Sequence, residues 1–162
     1  MKEAILLALG PSKELCRFDC GEVWGVNLAY RYAYDSGGFL TKLFLAHDDV
    51  FDWGDINRTS ALHGFEVLNI HRLKKLESKQ YPLRGIVKKF GVNYFTNTNC
   101  YMIAYAIYKG YDRLRLYGID MRADEISQVA EKSGVEYWLG FAKAKGIEVI
   151  IPPIPTVLLS KG

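Results

Sequence analysis

The sequence predicts an α/β fold in which helices cover both faces of a mostly parallel sheet. Short β-rich runs alternate along the chain with helical stretches, which is typical of such folds. The runs over residues 5–9 and 43–46 are continuously apolar, as expected of strands that are buried on both faces. The predicted strands also end in small or polar residues. Together these observations predict a Rossmann-like three-layer sandwich.

Each element is predicted from its local pattern. Strands are expected where apolar or β-branched residues form a short run between turn-forming residues. The predicted strands cover residues 4–9, 22–27, 42–47 and 66–70, with a short strand over 93–96. The clearest unit follows, with a helix over 100–109 that leads into a strand over 113–119. A last helix over 134–144 leads into a strand over 148–151.

Length and composition indicate one globular domain over residues 1–162. The 162 residues fit the usual size of a domain, and they are 49% apolar and 24% charged. No apolar stretch approaches the roughly 20 residues that a membrane-spanning helix needs. The amino-terminal segment contains Glu3 and runs into a Gly-Pro-Ser turn, so we interpret it as a buried strand rather than a secretory leader. We therefore expect a cytoplasmic protein without a membrane partner.

The cysteines indicate no metal site, and the tyrosines do not decide whether the chain forms an oligomer. Cys16, Cys20 and Cys100 form no zinc-type pattern, so we interpret them as free thiols and assign no metal ligand. The 11 tyrosines suit a ligand cleft, a core or a seam between identical subunits. Residues 30–34 are the candidate seam of a homo-oligomer, with burial inside one subunit as the alternative.

The charge does not favour a nucleic-acid partner. The net charge is only +3 and is spread along the sequence. One basic stretch stands out, made of residues 71–75 with Lys79, Arg84, Lys88 and Lys89. We interpret this stretch as a solvated surface, and contact with a phosphate-bearing ligand is the alternative.

The ends of the predicted strands hold the candidate ligand-binding residues. Ligands of an open parallel sheet bind at the carboxyl ends of its strands, where the strand order reverses. Gly10, Pro11 and Ser12 follow the first strand, and they form either a plain turn or a phosphate contact through Ser12 and nearby N–H groups. Asn27 closes the second strand.

Further candidates accompany the last two helices. Asn97, Thr98 and Asn99 precede an apolar helix that needs only one of them as its N-cap, so the surplus polar groups favour a ligand. Asp120 follows a strand, where it holds a ribose hydroxyl, binds a metal or caps the next turn. Glu136 falls in the first turn of the predicted last helix, where it contacts a ligand or complements the helix dipole.

Three residues are the candidate catalytic groups. His47 and Asp48 close the third strand, and His titrates near neutrality, so this pair and Asp120 are the acid–base candidates. The alternative is that His47 and Asp48 hydrogen-bond to each other and have no catalytic role. The sequence has no P-loop, no Gly-x-Gly-x-x-Gly and no nucleophile elbow, which argues against a kinase, a dehydrogenase or a hydrolase.

Three stretches together resemble a known group of enzymes. They are residues 9–12 (Leu-Gly-Pro-Ser), residues 24–27 (Trp-Gly-Val-Asn), and residues 97–120, whose strand ends in Gly-Ile-Asp. In this order they are similar to the Rossmann-like glycosyltransferase group related to bacterial sialyltransferases. The segments over 135–140 and 146–149 resemble small uncharacterised bacteriophage proteins with the same core.

The resemblance implies a pocket for a cytidine nucleotide or nucleotide sugar. The implied residues on the nucleotide side are Gly10, Pro11, Ser12 and Asn27, and those around the ribose and phosphates are Asn97, Thr98, Asn99 and Asp120. The chain departs from the group in two ways. It has Leu9 where the group has Asn, and it lacks the group's catalytic His after the Gly-Ile-Asp strand. These two departures argue against sugar transfer more strongly than they argue against nucleotide binding.

Three functions therefore fit the sequence. The first is a phage-type nucleotide- or nucleotide-sugar-binding protein, with a glycosyltransferase-like reaction as its enzymatic form. The second is a non-catalytic protein that sequesters a signalling nucleotide. The third is a phage structural or assembly protein. The sequence indicates no particular cofactor.

Overall fold

The computed structural model describes residues 1–47, 52–71, 75–121 and 126–153, with side chains left out for 126–128. The strands are β1 (Glu3–Leu7), β2 (Val23–Val26), β3 (Lys42–Leu45), β4 (Glu66–Asn69), β5 (Lys79–Gln80), β6 (Arg113–Tyr117) and β7 (Glu148–Ile150). The helices are α1 (Ala29–Asp35), α2 (Trp53–His63), α3 (Leu83–Phe90), α4 (Thr98–Tyr108) and α5 (Ile126–Ala144). A 3-10 helix covers Pro11–Leu15.

The strands form one seven-stranded sheet in the order β5-β4-β3-β2-β1-β6-β7. Every strand pairing within the described ranges is parallel. The chain builds outward from β1 to β5 and then crosses back to place β6 on the other side of β1. The strand order therefore reverses at β1, and the crevice for a ligand is expected at its carboxyl end.

Helices pack on both faces of the sheet. Leu6 of β1 belongs to a buried cluster with α3, α4 and α5, in which Trp138 is fully buried. Its neighbours Ile5 and Leu7 point to the opposite face, where they pack with α1 and α2. This alternation along a strand that is buried on both faces confirms the predicted three-layer sandwich.

Tyrosines of α1 pack inside the subunit. Tyr30 is 2% exposed, and its hydroxyl donates a hydrogen bond to the Asp55 carboxylate of α2. Burial, together with this bond, raises the pKa of Tyr30 to about 12. Tyr34 stacks on His63 with ring centroids 3.8 Å apart. Packing within one chain thus accounts for these two rings.

Two sequence expectations differ from the structure. The predicted short strand over 93–96 is an extended loop, because its polar groups bond to α5 rather than to a neighbouring strand. The Trp138 indole N–H donates to the Tyr94 carbonyl at 2.7 Å, and the Thr96 hydroxyl donates to the Glu131 carbonyl at 2.8 Å. The last helix begins at Ile126 rather than at Gly134.

Gly134 lies inside α5 because two helices meet there. A Cβ on Gly134 would lie 2.2 Å from Thr96 Oγ1 and 3.0 Å from Cys100 Sγ. The glycine therefore permits the close approach of α5 to the start of α4. Within the described ranges, no helix combines the length and the apolarity needed to cross a membrane.

Candidate functional site

A cleft opens at the carboxyl ends of β1, β2 and β6, where the strand order reverses. Its volume is about 430 Å³. We call it the rim cleft. Its described lining consists of Ala8, Leu9, Gly10, Pro11, Val26, Asn27, Asn99, Gly118, Asp120, Met121 and Glu131. The structure thus brings together residues that lie in five separate parts of the sequence.

Ser12 and Asp120 form a buried bridge across the floor of the rim cleft. The Ser12 hydroxyl donates to Asp120 Oδ1 at 2.5 Å, and the Ser12 backbone N–H donates to Oδ2 at 2.8 Å. The same hydroxyl oxygen accepts from the Gly118 backbone N–H at 2.7 Å. Ser12 and Asp120 are 1% and 4% exposed. The bridge therefore fixes the Gly-Pro-Ser turn against the end of β6.

Two glycines allow the ends of β1 and β6 to approach each other. A Cβ on Gly10 would lie 2.5 Å from Asp120 Oδ2 and 2.7 Å from the Gly118 carbonyl oxygen. Gly118 has a φ of 72°, and a Cβ there would lie 2.1 Å from the Ala8 carbonyl oxygen. Both positions therefore require glycine, and the exposed backbone of this turn forms one wall of the rim cleft.

Asn27 connects the end of β2 to the start of α4. Its φ of 53° lies in the left-handed region, which asparagine adopts more readily than other residues with a side chain. The Thr98 hydroxyl donates to Asn27 Oδ1 at 3.4 Å. The Asn27 backbone N–H donates to the Phe44 carbonyl at 3.2 Å, so the turn also follows the edge of β3.

One of the three polar residues at the start of α4 caps the helix and the other two do not, as the sequence predicts. Asn97 is the N-cap, and its Oδ1 accepts from the Cys100 backbone N–H at 3.2 Å. Asn99 is 8% exposed and lines the rim cleft, yet its buried Oδ1 has no hydrogen-bond partner among the described residues. A buried carbonyl oxygen is normally satisfied. Asn99 is thus a cleft-lining amide whose hydrogen bonding is incomplete among the described residues.

Glu131 is a cleft residue that the sequence reasoning missed. Its carboxylate accepts from Asn97 Nδ2 at 3.4 Å, and its backbone carbonyl holds the Thr96 hydroxyl. No Lys or Arg is among the described residues that line the rim cleft. The N-terminus of α4 therefore supplies positive potential there, and the carboxylates of Glu131 and Asp120 oppose it.

The remaining predicted residues lie elsewhere. His47 is exposed beyond the end of β3 and does not line the rim cleft. Asp48 lies outside the described residues. Glu136 is not in a first helical turn, because α5 begins ten residues earlier, at Ile126. Its carboxylate pairs with Lys132 of the same helix at 2.8 Å, and it is not among the cleft residues.

The described residues contain no group of three or more His, Cys, Asp or Glu side chains that could hold a metal ion. The three cysteines are free thiols, and Cys100 is buried. Burial raises the pKa of the Cys16 thiol, which makes it less reactive as a nucleophile at neutral pH. The polar side chains described in the lining of the rim cleft are therefore the Asn27 and Asn99 amides and the Asp120 and Glu131 carboxylates.

Comparison with known proteins gives structural matches only. No family model and no curated protein matches the sequence. The chain is similar to the sialyltransferase CstII from Campylobacter jejuni in complex with CMP-3FNeuAc, with a TM-score of 0.66 and 17% identity over 98% of this chain and 83% of that chain. The same enzyme in complex with cytidine-5'-monophosphate gives 0.61 and 15%, over 98% of this chain and 82% of that chain.

A third match is thiamine pyrophosphokinase from Bacillus subtilis, with a TM-score of 0.58 and 13% identity over 93% of this chain and 60% of that chain. At these identities the likeness concerns the fold alone. The resemblance to the sialyltransferase group is confirmed at that level, and the Rossmann-like sandwich with it.

Proposed function

We propose that the chain binds a nucleotide or a nucleotide sugar in the rim cleft. The observation that carries this proposal is Asn99, which lines the cleft at the N-terminus of the 11-residue helix α4 and whose Oδ1 has no hydrogen-bond partner among the described residues. A ribose hydroxyl or a base amino group would satisfy this oxygen. Free N–H groups at the same helix end suit a phosphate. Two of the similar sialyltransferase structures hold cytidine nucleotide compounds, which supports the proposal at the level of the fold.

The charges in the rim cleft suggest how the ligand is oriented. With no described Lys or Arg in the lining, the phosphates depend on the α4 N-terminus. The Gly10–Pro11 turn offers them no amide, because the Gly10 N–H donates to the Gly118 carbonyl and Pro11 has no N–H. The Glu131 carboxylate would repel a phosphate, but it is a good acceptor for ribose hydroxyls. Because Glu131 contacts Asn97, the N-cap of α4, we expect the ribose on the Glu131 side of this helix end and the phosphates at the first N–H groups of α4. Asn27 would contact the nucleotide portion of the ligand.

Sugar transfer is the enzymatic form of this proposal, and phage origin remains a prediction. Among the predicted catalytic residues, Asp120 lines the rim cleft and His47 lies one strand beyond Asn27 along the same edge. Asp120 is engaged by Ser12 and His47 lies outside the rim cleft, so neither is positioned as the base. Binding without transfer is the second candidate, and that engagement of Asp120 favours it. Recovery of an intact nucleotide sugar after prolonged incubation would identify binding without transfer.

A binding experiment with matched variants tests the proposal. The thermal midpoint is measured against cytidine-5'-monophosphate, nucleotide sugars, other nucleotides and cyclic dinucleotides. A ligand at 100 times its dissociation constant adds about 2.7 kcal/mol of stability. We expect a saturable increase that is lost in Asn99→Ala and kept in Asn93→Ala, since Asn93 is exposed and outside the cleft. No increase with any compound, or equal loss in both variants, would contradict nucleotide binding.

A further inference from the structure

A second cavity lies on the same rim, at the carboxyl ends of β4 and β5. Its volume is about 560 Å³. The start of α3 and the residues after β4 form its walls, with His71, Gln80, Tyr81, Leu83 and Arg84 among them. It shares no lining residue with the rim cleft. We call it the Arg84 cavity.

Two sources of positive potential meet in the Arg84 cavity. Arg84 is exposed in the first turn of α3, and it forms no ion pair or side-chain hydrogen bond with any residue the structure describes. A cation at this end of a helix is unfavourable, because the N-terminus is the positive end of the dipole. The N-cap is Pro82, and no side chain caps the helix. An anion would satisfy both the guanidinium and the free N–H groups.

The other walls of this cavity are fixed and partly apolar. Tyr81 is 1% exposed, and its hydroxyl is occupied by donation to the Tyr101 carbonyl at 2.7 Å. Gln80 Nε2 donates to the Ile70 carbonyl at 2.9 Å. The backbone N–H of His71 donates to Asn69 Oδ1 at 3.2 Å, which fixes the chain while the exposed ring stays available. Arg84 thus faces a fixed wall whose apolar part comes from Ile70, Pro82 and Leu83.

We propose that the Arg84 cavity binds a small phosphate monoester, with a sugar phosphate as the class of ligand. Arg pairs with phosphate through two parallel N–H groups, which gives a directed contact. The apolar wall would pack against the sugar ring, and the His71 ring would donate to a hydroxyl or a phosphate oxygen. The volume exceeds that of a bare phosphate ion, so an organic portion is expected.

The proposed site is independent of nucleotide binding. The rim cleft includes the end of β2, and the Arg84 cavity includes the end of β4, two strand positions away. Neighbouring strands lie roughly 5 Å apart, so the two sites are about 10 Å apart along the rim. The two sites share no described lining residue, so a substitution in one leaves the lining of the other intact. His47, beyond the end of β3, lies between the two sites.

Calorimetric titration with glucose 6-phosphate, and with glucose as the uncharged comparison, tests the proposal. We expect saturable binding of glucose 6-phosphate and none of glucose. Arg84→Met should weaken this binding at least tenfold. Lys88→Met should change it less than twofold, because Lys88 lies one turn farther along α3, carries the same charge and does not line the cavity. Unchanged thermal midpoints would establish that both variants are folded.

Four results would overturn the proposal. Glucose 6-phosphate fails to bind with saturation, or glucose binds equally well, or both substitutions weaken binding equally. Loss of binding in Asn99→Ala but not in Arg84→Met would assign the ligand to the rim cleft and would also overturn it. A failure of nucleotides to bind in the rim cleft would leave the glucose 6-phosphate titration unaffected, so the two proposals can fail separately.

Discussion

The Ser12–Asp120 bridge joins two chain segments that are distant in sequence at the floor of the rim cleft. Asp120 accepts two hydrogen bonds from Ser12, and the Ser12 hydroxyl oxygen accepts a third bond from Gly118. The sequence predicts Ser12 and Asp120 as separate ligand contacts. It cannot show their pairing, because the partners are 108 residues apart. The bridge gives them a positioning role, which holds the backbone of the turn toward the ligand.

Replacing one oxygen of Asp120 tests this role. Asp120→Asn places an amide N–H₂ opposite a Ser12 donor, so one buried group loses its partner. We expect the free energy of unfolding, measured in urea, to fall by about 1–3 kcal/mol. Asp35→Asn is the control, since Asp35 is exposed at the end of α1, and its effect should stay within about 0.5 kcal/mol. Equal effects of both substitutions would contradict the bridge.

The other cleft residues differ in how well the sequence predicts them. Gly10, Asn27 and Asn99 were predictable because each follows a strand or begins a helix, and all three line the rim cleft. Glu131 was not predictable, since the sequence places the start of the last helix after it. His47 is near the same rim but outside the cleft, because position at a strand end does not determine where a side chain points.

At the scale of elements, buried strands and the apolar helix α4 could be predicted, and short or interrupted elements could not. β1 to β4 begin within a residue of the predicted starts, since each is an apolar run between turn residues. β5 contains only Lys79 and Gln80, both exposed, so it has no apolar pattern. Gly134 looks like a helix boundary in the sequence, whereas in the structure it is a packing contact within α5.

Two glycines of the same helix give a matched prediction. Alanine has a higher helix propensity than glycine by about 1 kcal/mol. Gly140→Ala should therefore stabilise the protein by up to about 1 kcal/mol, because no atom lies within 4 Å of a Cβ there. Gly134→Ala should instead lower the free energy of unfolding by about 1–2 kcal/mol, because its Cβ would meet Thr96 and Cys100. Stabilisation by both substitutions, measured in urea, would contradict the packing of α5 on α4.

At the scale of the whole molecule, the fold gathers the polar strand ends along one rim. The alternation of strands and helices predicts a parallel sheet, but not the order of its strands. No local feature of the sequence shows that β6 pairs with β1 rather than with the edge strand β5. Once β6 pairs with β1, the Gly-Pro-Ser turn, Asn27 and the start of α4 form one cleft. The basic residues of the sequence contribute to a different cavity on that rim, through His71 and Arg84.

The central claim, nucleotide binding in the rim cleft, is tested most directly by amide resonances in a titration with cytidine-5'-monophosphate. We expect saturable shifts at Gly10, Ser12, Asn27, Thr98 and Asn99, with the amides of β7 unchanged. Saturation without shifts at these positions, or no shift at all at millimolar nucleotide, would contradict the rim cleft as the nucleotide site.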